Sequence, residues 1–383
     1  MRLLHIADLH VGKRVCEFPM LEDQRHVLAQ VVSLLRDRSC DALLVAGDVY
    51  DKSAPSAESV ALVDWFFGEV AATGVPAVVI PGNHDSAERL AYARGPLARL
   101  GVHVAPVFDG AIEPVELEDE WGAVRVWPIP FVRPASVRHA LGDPAPETYT
   151  AAMRRVVEAI DLSGAARNVA VAHQFVTSGP AAPERCESEV SVGGLDNVDA
   201  SVFDGFDYVA LGHVHRAQRV GRDAVRYAGS ILKYSVSEAT GSKSATLVEL
   251  GEPGGEPSLE LVELEPLHDL RRVRGPLAAL LDPEVVRAGD PSDYLHVVLT
   301  DENPALDAMA RLRSRYPNVM SLEYDNARTR AAALDRGSDS PEGSDASPLE
   351  LFCEFYERQN GAAPSEAQRA IVTAELEGIG VGE

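Results

Sequence analysis

Short apolar runs recur along the first part of the chain, at positions 3–7, 42–46, 77–80, 124–127, 169–172 and 208–211. Each is aliphatic or β-branched and bounded by polar, Gly or Pro residues, which is the pattern of a buried strand. Longer stretches with helical spacing lie between them, at 24–36, 57–72, 87–100 and 148–160. Alternation of strand and helix predicts an α/β core. The stretch 57–72 carries Val60, Leu62, Val63, Trp65, Phe66, Phe67 and Val70, so it is apolar on more than one face. A helix on the outside of an α/β layer needs only one apolar stripe. Deeper burial within the domain and a subunit interface both account for the excess.

From 225 to 264 the pattern turns to β-rich hairpins, at 225–229, 245–250 and 259–264, with a Gly-, Pro- and Glu-rich loop at 251–257. A second unit at 268–329 reads as strand 294–300, helix 305–316 and strand 319–324, a compact α+β pattern. Residues 336–347 hold no apolar residue except Ala346 and read as a linker. Beyond it, Leu349, Leu351, Phe352, Phe355 and Tyr356 fall at helical spacing. Asn360-Gly361 breaks that pattern, and Pro364-Ser365 opens a second helix running through Leu376. So short a pair cannot bury its own apolar stripe and calls for a partner surface.

At 383 residues there is room for two or three domains of about 150 residues each. Hydrophobic residues at 46% and charged residues at 25% are ordinary for a globular protein, which excludes a mainly disordered chain. No apolar run approaches the ~18 residues of a membrane span, so no membrane partner is expected. The net charge of −24 excludes a simple polybasic nucleic-acid coat. A polyanionic substrate would need positive charge from metal ions or a partner. Cys16, Cys40, Cys186 and Cys353 are irregularly spaced with no CxxC pair, which suits a reduced, cytoplasmic protein. No leader is expected, because Asp8 and His10 interrupt the short apolar stretch after Arg2.

Five segments follow apolar runs and carry metal-type ligands. They are Asp8-Leu9-His10, Gly47-Asp48-Val49-Tyr50-Asp51, Gly82-Asn83-His84-Asp85, Ala172-His173 and Gly212-His213-Val214-His215. Functional groups in α/β sheets collect at the carboxyl ends of strands, so five strand ends can converge on one site. Carboxylates, imidazoles and an amide oxygen suit ions such as manganese, iron or zinc. The ligands are too many for one ion, and a pair of ions ~3.5–4 Å apart needs a bridging carboxylate plus terminal ligands. Gly47, Gly82 and Gly212 allow tight backbone turns beside them. Taken singly, each segment passes for a turn or a surface histidine pair. The ordered set of five is what points to a dinuclear centre.

The order DxH…GDxxD…GNH[DE]…H…GHxH resembles the calcineurin-like metallophosphoesterase superfamily. That resemblance implies an α/β fold, a two-sheet α/β sandwich, with a two-metal hydrolytic site. It implies that Asp8, His10 and His215 hold one ion, that Asn83, His173 and His213 hold the other, and that Asp48 bridges. His84 would not be a ligand but would lie beside the scissile phosphate, stabilise the transition state and protonate the leaving oxygen. An imidazolium suits that role, since charge builds on the departing alkoxide. Asp85 is open between orienting His84 and capping the helix that begins near Ser86.

The block after Asp51, Lys52-Ser53-Ala54-Pro55-Ser56, departs from the GDxVDRG block of serine/threonine protein phosphatases. Three other stretches resemble the SbcD nuclease-subunit family: 1–12 (MRLLHIADLHVG), 207–218 (DYVALGHVHRAQ) and 227–238 (YAGSILKYSVSE) with 243–248 (KSATLV) after it. The resemblance implies metal-dependent cleavage of DNA ends and hairpins: 3′-to-5′ exonuclease on duplex and endonuclease on single strands, in repair and recombination. It implies two divalent ions, with manganese preferred, and the coiled-coil ATPase SbcC as partner. A homodimer would form through helices near 57–72 and 87–100. The implied division is a nuclease domain at 1–266, a DNA capping domain at 267–335, a flexible linker at 336–347, and a helix pair at 348–383 that docks on the SbcC coiled coil. Lys13, Arg14, Arg89, Arg216 and Lys233 are candidate DNA-phosphate contacts. Given the −24 charge, weak and salt-dependent DNA affinity is expected of the chain alone. His5, His26, His103, His139, His268 and His296 lie outside the motifs and are expected to be structural or superficial. A small-molecule phosphodiesterase with the same metal core competes with this reading, but does not explain the apolar tail. A catalytically dead DNA-end adaptor also competes, but does not explain an intact ligand set with His84.

Overall fold

A computed structural model describes residues 1–142, 144–164, 166–179, 182–184, 186, 196–327, 329–330, 347–360 and 363–378. The expected linker at 336–347 lies outside the described residues except for Ser347. The chain forms two compact units, Met1–Tyr324 and Asp325–Glu383.

Two six-stranded sheets dominate the first unit. One has the order Ser258–Leu264, Lys243–Glu249, Arg2–Ile6, Ala42–Ala46, Ala77–Ile80 and Val102–Val104. Its last four strands are parallel, and Lys243–Glu249 runs antiparallel to both of its neighbours. The other has the order Gln218–Val220, Arg222–Tyr227, Tyr208–Gly212, Arg167–His173, Gly122–Ile129 and Val115–Asp119. Its four central strands are parallel and its two edges antiparallel. The stretch read as successive hairpins from 225 to 264 is therefore divided between the sheets. Arg222–Tyr227 pairs in parallel with Tyr208–Gly212, while Lys243–Glu249 and Ser258–Leu264 form a hairpin in the first sheet.

Three apolar layers hold this sandwich together. Leu3, Ala7, Leu44, Val78, Val124, Val171, Tyr208 and Val248 pack between the sheets. The outer face of the first sheet is covered by helices α1 (Leu21–Asp37) and α2 (Ala57–Thr73). The outer face of the second is covered by helices Pro134–Leu141 and Tyr149–Glu158. Central strands such as Ala42–Ala46 and Tyr208–Gly212 are buried at every position. Strands covered on both faces need continuous apolar runs, which is why they were legible in the sequence. α1 buries Val27, Leu28, Val31, Val32 and Leu35 as one stripe. Ser56 caps α2 by accepting from the Ser59 amide, and Gly74 ends it at φ 76°.

The apolar excess of α2 is mostly accounted for inside the chain. Leu62, Val63, Phe66, Phe67 and Val70 are buried, and Trp65 lies 4.1 Å from the Arg25 guanidinium. Val60 remains exposed. The helix expected over 87–100 is instead two short ones, Ala87–Leu90 and Arg94–Ala98. Pro96 explains the break: within a continuous helix its ring would clash with the preceding turn, whereas the first turn of a new helix accommodates it.

A parallel three-stranded sheet, Leu270–Gly275, Tyr294–Leu299 and Val319–Tyr324, completes the first unit. Leu277, Leu280, Leu295, Val297, Leu299, Leu312 and Tyr316 form its core. It is tied to the sandwich through buried Asp23 on α1, which accepts from the His268 amide at 3.0 Å and the Tyr294 hydroxyl at 2.8 Å. The second unit contains helices Pro348–Asn360 and Glu366–Gly378. Each begins with a capping box, Ser347 with Glu350 and Ser365 with Gln368. Leu351, Phe355 and Ile371 are exposed on them. No helix among the described residues is long and apolar enough to cross a membrane.

Candidate metal centre

The carboxyl ends of five central strands lead directly into the expected ligands. Arg2–Ile6 delivers Asp8 and His10, Ala42–Ala46 delivers Asp48, and Ala77–Ile80 delivers Asn83 and His84. From the other sheet, Arg167–His173 ends on His173, and Tyr208–Gly212 delivers His213 and His215. The backbone is bent sharply there. Asp8, His10, Asp48 and His213 have positive φ, four of the eight non-glycine residues with positive φ among the described residues. Such conformations persist where the surroundings enforce them, and they cluster at functional sites. The glycines leave no room for a side chain: a Cβ on Gly47 would lie 2.3 Å from His173 Nδ1, and one on Gly82 would lie 2.1 Å from Asp48 Oδ1.

All seven expected ligands meet at one place. His10 Nε2 and His215 Nε2 face each other at 3.1 Å. His173 Nε2 and His213 Nδ1 lie 3.0 and 2.9 Å from Asn83 Oδ1. Asp48 Oδ2 stands between these groups, 3.6 Å from His10 Nε2 and 3.4 Å from His173 Nε2. Asp8, His10 and His215 offer donor atoms within 4.8 Å of one another, as do Asp8, Asp48 and His173. The donor set fits a pair of divalent ions. Paired imidazole nitrogens point at each other, the donors are nitrogen and oxygen only, and one carboxylate lies between two groups.

Charges follow from the crowding. Burial pushes the His10 imidazole down to about 4, so its ring is neutral and its nitrogen available. Burial pushes the Asp8 carboxyl up, partly offset by His173 and His215. Burial also works against the Asp48 anion, but His173 and His10 override it and hold its carboxyl far below the usual range. For His173 burial opposes the charged form, and the Asp48 carboxylate raises it to about 9 nonetheless. His173 Nδ1 donates to Ala46 O at 2.8 Å, which turns Nε2 toward the centre.

His84 lies beside the cluster, its ring edge-on to His10 with centroids 4.8 Å apart. Its Nδ1 donates to the Asp51 carbonyl at 2.9 Å. That leaves Nε2 to meet a substrate. Asp85 neither touches the His84 ring nor caps the helix. Its carboxylate accepts from the amides of Val49, Tyr50 and Gly82 at 2.8–3.0 Å, clamping two ligand loops together, and the cap is Ser86. Burial and the nearby Asp48 charge push the Asp85 carboxyl up to about 6, against those three amides.

Several supporting groups were not foreseen from the sequence. The Asp51 carboxylate lies 3.5 Å from His10 Nδ1 and 2.9 Å from Lys13 Nζ. The second Asp of the GDxxD block was the available signal for it. Gln24 donates to the His10 carbonyl at 2.7 Å and to the Tyr234 hydroxyl at 3.0 Å. It sits in an ordinary amphipathic helix and carries no local signal. The candidate DNA contacts fall into two groups. Lys13 and Lys233 are largely buried in ion pairs with Asp51 and Asp269. Arg14, Arg89 and Arg216 are more exposed, with Arg14 and Arg216 beside Glu17 and Glu184 and Arg89 donating to the Ser53 carbonyl.

Two facing sheets whose parallel strands end in carboxylates, imidazoles and an amide suit a metallophosphoesterase fold. Residues 1–217, more than half the chain, match the calcineurin-like phosphoesterase family, and the chain belongs to it. The family hydrolyses phosphoesters with divalent metal ions. Residues 266–360 match a second family, the SbcD C-terminal domain, described as the type 5 capsule protein repressor C-terminal domain. Among solved structures, the chain is similar to TT1561 of Thermus thermophilus, with 13% identity and a TM-score of 0.40 over 69% of this chain and 99% of that one. It is similar to a dimetal phosphatase from Danio rerio, with 13% identity and a TM-score of 0.39 over 69% and 99%. GAP50, the anchor in the inner membrane complex of Plasmodium, gives 10% and 0.40 over 86% and 98%. Likenesses this loose bear on neither substrate nor partner.

Proposed function

We propose that the protein is the nuclease subunit of an SbcC–SbcD-type complex, hydrolysing phosphodiester bonds at DNA ends and hairpins with two divalent ions, manganese preferred. The observation that carries the reading is the meeting of six candidate ligand side chains around Asp48 with His84 alongside, in a chain that also matches the SbcD C-terminal domain. Asp8, His10 and His215 would hold one ion, Asn83, His173 and His213 the other, and Asp48 would contribute to both. When bound, such ions lower the pKa of water and neutralise phosphate charge. The remaining work falls to the chain. Asp48 Oδ1 accepts from the His84 amide at 2.9 Å, which fixes the His84 loop against the ligand cluster. The Asp51 carbonyl takes His84 Nδ1–H, so the protonated ring carries its second proton on Nε2 and delivers it to the leaving oxygen.

The C-terminal helices, with Leu351, Phe355 and Ile371 exposed, dock on the base of a coiled-coil ATPase. A homodimer through the 57–72 and 87–100 regions belongs to the same reading. The charge of −24 and the internal pairing of Lys13 and Lys233 leave DNA affinity weak and salt-dependent without the ATPase.

The test is purified protein with Mn2+ on a hairpin duplex and on a chromogenic bis-phosphodiester, with and without the ATPase. Hairpin cleavage that strengthens with the ATPase supports the proposal. Cleavage of the small ester alone under both conditions replaces it with a small-molecule phosphodiesterase.

A further inference from the structure

We infer that Glu238 is the positioning residue for His215: its carboxylate takes the proton side of the ring at Nδ1 and thereby aims Nε2 at the metal. The inference rests on the reading that Asp8, His10 and His215 hold an ion.

Glu238 ends a short 3-10 turn, Val236–Glu238, and is 5% exposed. Its Oε1 lies 3.6 Å from His215 Nδ1 and also accepts from Ser235 Oγ at 2.9 Å and the Tyr234 amide at 3.2 Å. Oε2 accepts from Lys243 Nζ at 2.5 Å and Ser230 Oγ at 3.3 Å. Lys243 Nζ also donates to the main-chain carbonyl of His215 at 2.8 Å. One ammonium group therefore grips both the carboxylate and the backbone of the histidine that the carboxylate faces.

The segment carrying these groups is stitched to the centre at its start and at its middle. Ser230 pairs with Ala7, next to Asp8, and a Cβ on Gly229 would lie 2.8 Å from the His215 carbonyl. At the middle, the Tyr234 hydroxyl donates to the Leu9 carbonyl at 2.5 Å, and its ring lies 5.6 Å from that of His10. The strap thus buttresses His10 and His215 together.

A buried Lys–Glu pair is a weak device for stability, since apolar replacements of similar volume often do as well. A carboxylate facing the outer nitrogen of a metal-ligating imidazole has a stronger purpose. It selects the tautomer, fixes the ring and raises the basicity of the inner nitrogen. The geometry supplies each part of that arrangement: the outer nitrogen toward Glu238 and the inner nitrogen toward His10 Nε2.

The experiment uses the full chain stripped with chelator. Mn2+ is titrated calorimetrically into wild type, E238A and E238D, and histidine nitrogens are followed by NMR in the zinc-loaded forms. E238D keeps a charge beside Lys243 and retracts it from His215, so it separates ring positioning from folding should E238A not fold. The expected result is two ions bound by wild type, with one weakened about 10–100-fold in E238A and about tenfold in E238D while the other is retained. His215 carries its proton on Nδ1 in wild type and loses that single tautomer in the variants. E238D binding both ions like wild type, with an unchanged His215 signature, overturns the inference. Wild type that binds no pair of ions instead overturns the reading of the centre on which it rests.

Discussion

The two halves of the centre are built differently. The half made by Asp8, His10 and His215 is fully buried, and carboxylates, Asp51 and Glu238, stand behind its two imidazoles. The half made by Asn83, His173 and His213 meets at one amide oxygen. Its buried histidine donates to a main-chain carbonyl, Ala46 O, with Asp8 Oδ1 3.8 Å from the same nitrogen, and its other two members are half-buried. Carboxylate backing raises the basicity of a ligating imidazole more than a neutral carbonyl does. The first half is therefore the more enclosed of the two, and the second the more open to solvent.

Substitutions can break that contrast. Asp48→Ala removes the carboxylate that lies between His10 and His173, and the largest effect is expected there: both ions lost by calorimetry and turnover with them. Retention of two ions would mean that Asp48 does not bridge. His84→Gln should retain both ions and lower kcat by about 10²–10⁴-fold, as loss of a general acid does. Undiminished turnover in that variant would take His84 out of the chemistry. Gly47→Ala bears most directly on one half, through His173. The new Cβ would lie 2.3 Å from His173 Nδ1 and would displace the ring from Ala46 O. Mn2+ titration should show one ion weakened about 10–100-fold and the other kept. Equal loss of both would erase the distinction between the halves.

The smallest effect concerns pH. His173 is raised from 6.5 to about 9 by the Asp48 carboxylate against burial. A raised histidine stabilises the fold fully below pH 6.5, and that contribution is lost as pH rises through about 9. The Tm of the chelated protein should therefore fall across that window. With Mn2+ loaded, the ligand nitrogen carries no proton and the fall should disappear. A flat profile for the chelated protein would show that His173 is not the cation paired with Asp48.

How far the sequence revealed the structure differs by region for physical reasons. The parallel strands were legible because burial on both faces demands unbroken apolar runs such as Ala42–Ala46. The ligand blocks were legible because each follows such a run by one or a few residues. The split of 87–100 into two helices was carried by Pro96 and was readable, but the apolar pattern masked it. Asp85 is open in the sequence between orienting His84 and capping a helix, and the fold gives it neither role: Ser86, one residue on, caps, and Asp85 clamps three amides. Gln24 and Tyr234 could not be read at all. Their importance comes from packing elements far apart in the chain, and nothing in their neighbours' spacing announces it. Lys13 and Lys233, offered as phosphate contacts, illustrate the same limit: sequence shows a charge, and only the fold shows that a carboxylate already uses it.

The most direct measurement is anomalous scattering from crystals soaked in Mn2+. Two peaks about 3.5–4 Å apart are predicted, on either side of Asp48. One should be within bonding distance of His10 and His215, the other of Asn83, His173 and His213. No peak among these residues, or a single ion held elsewhere, would contradict a dinuclear centre.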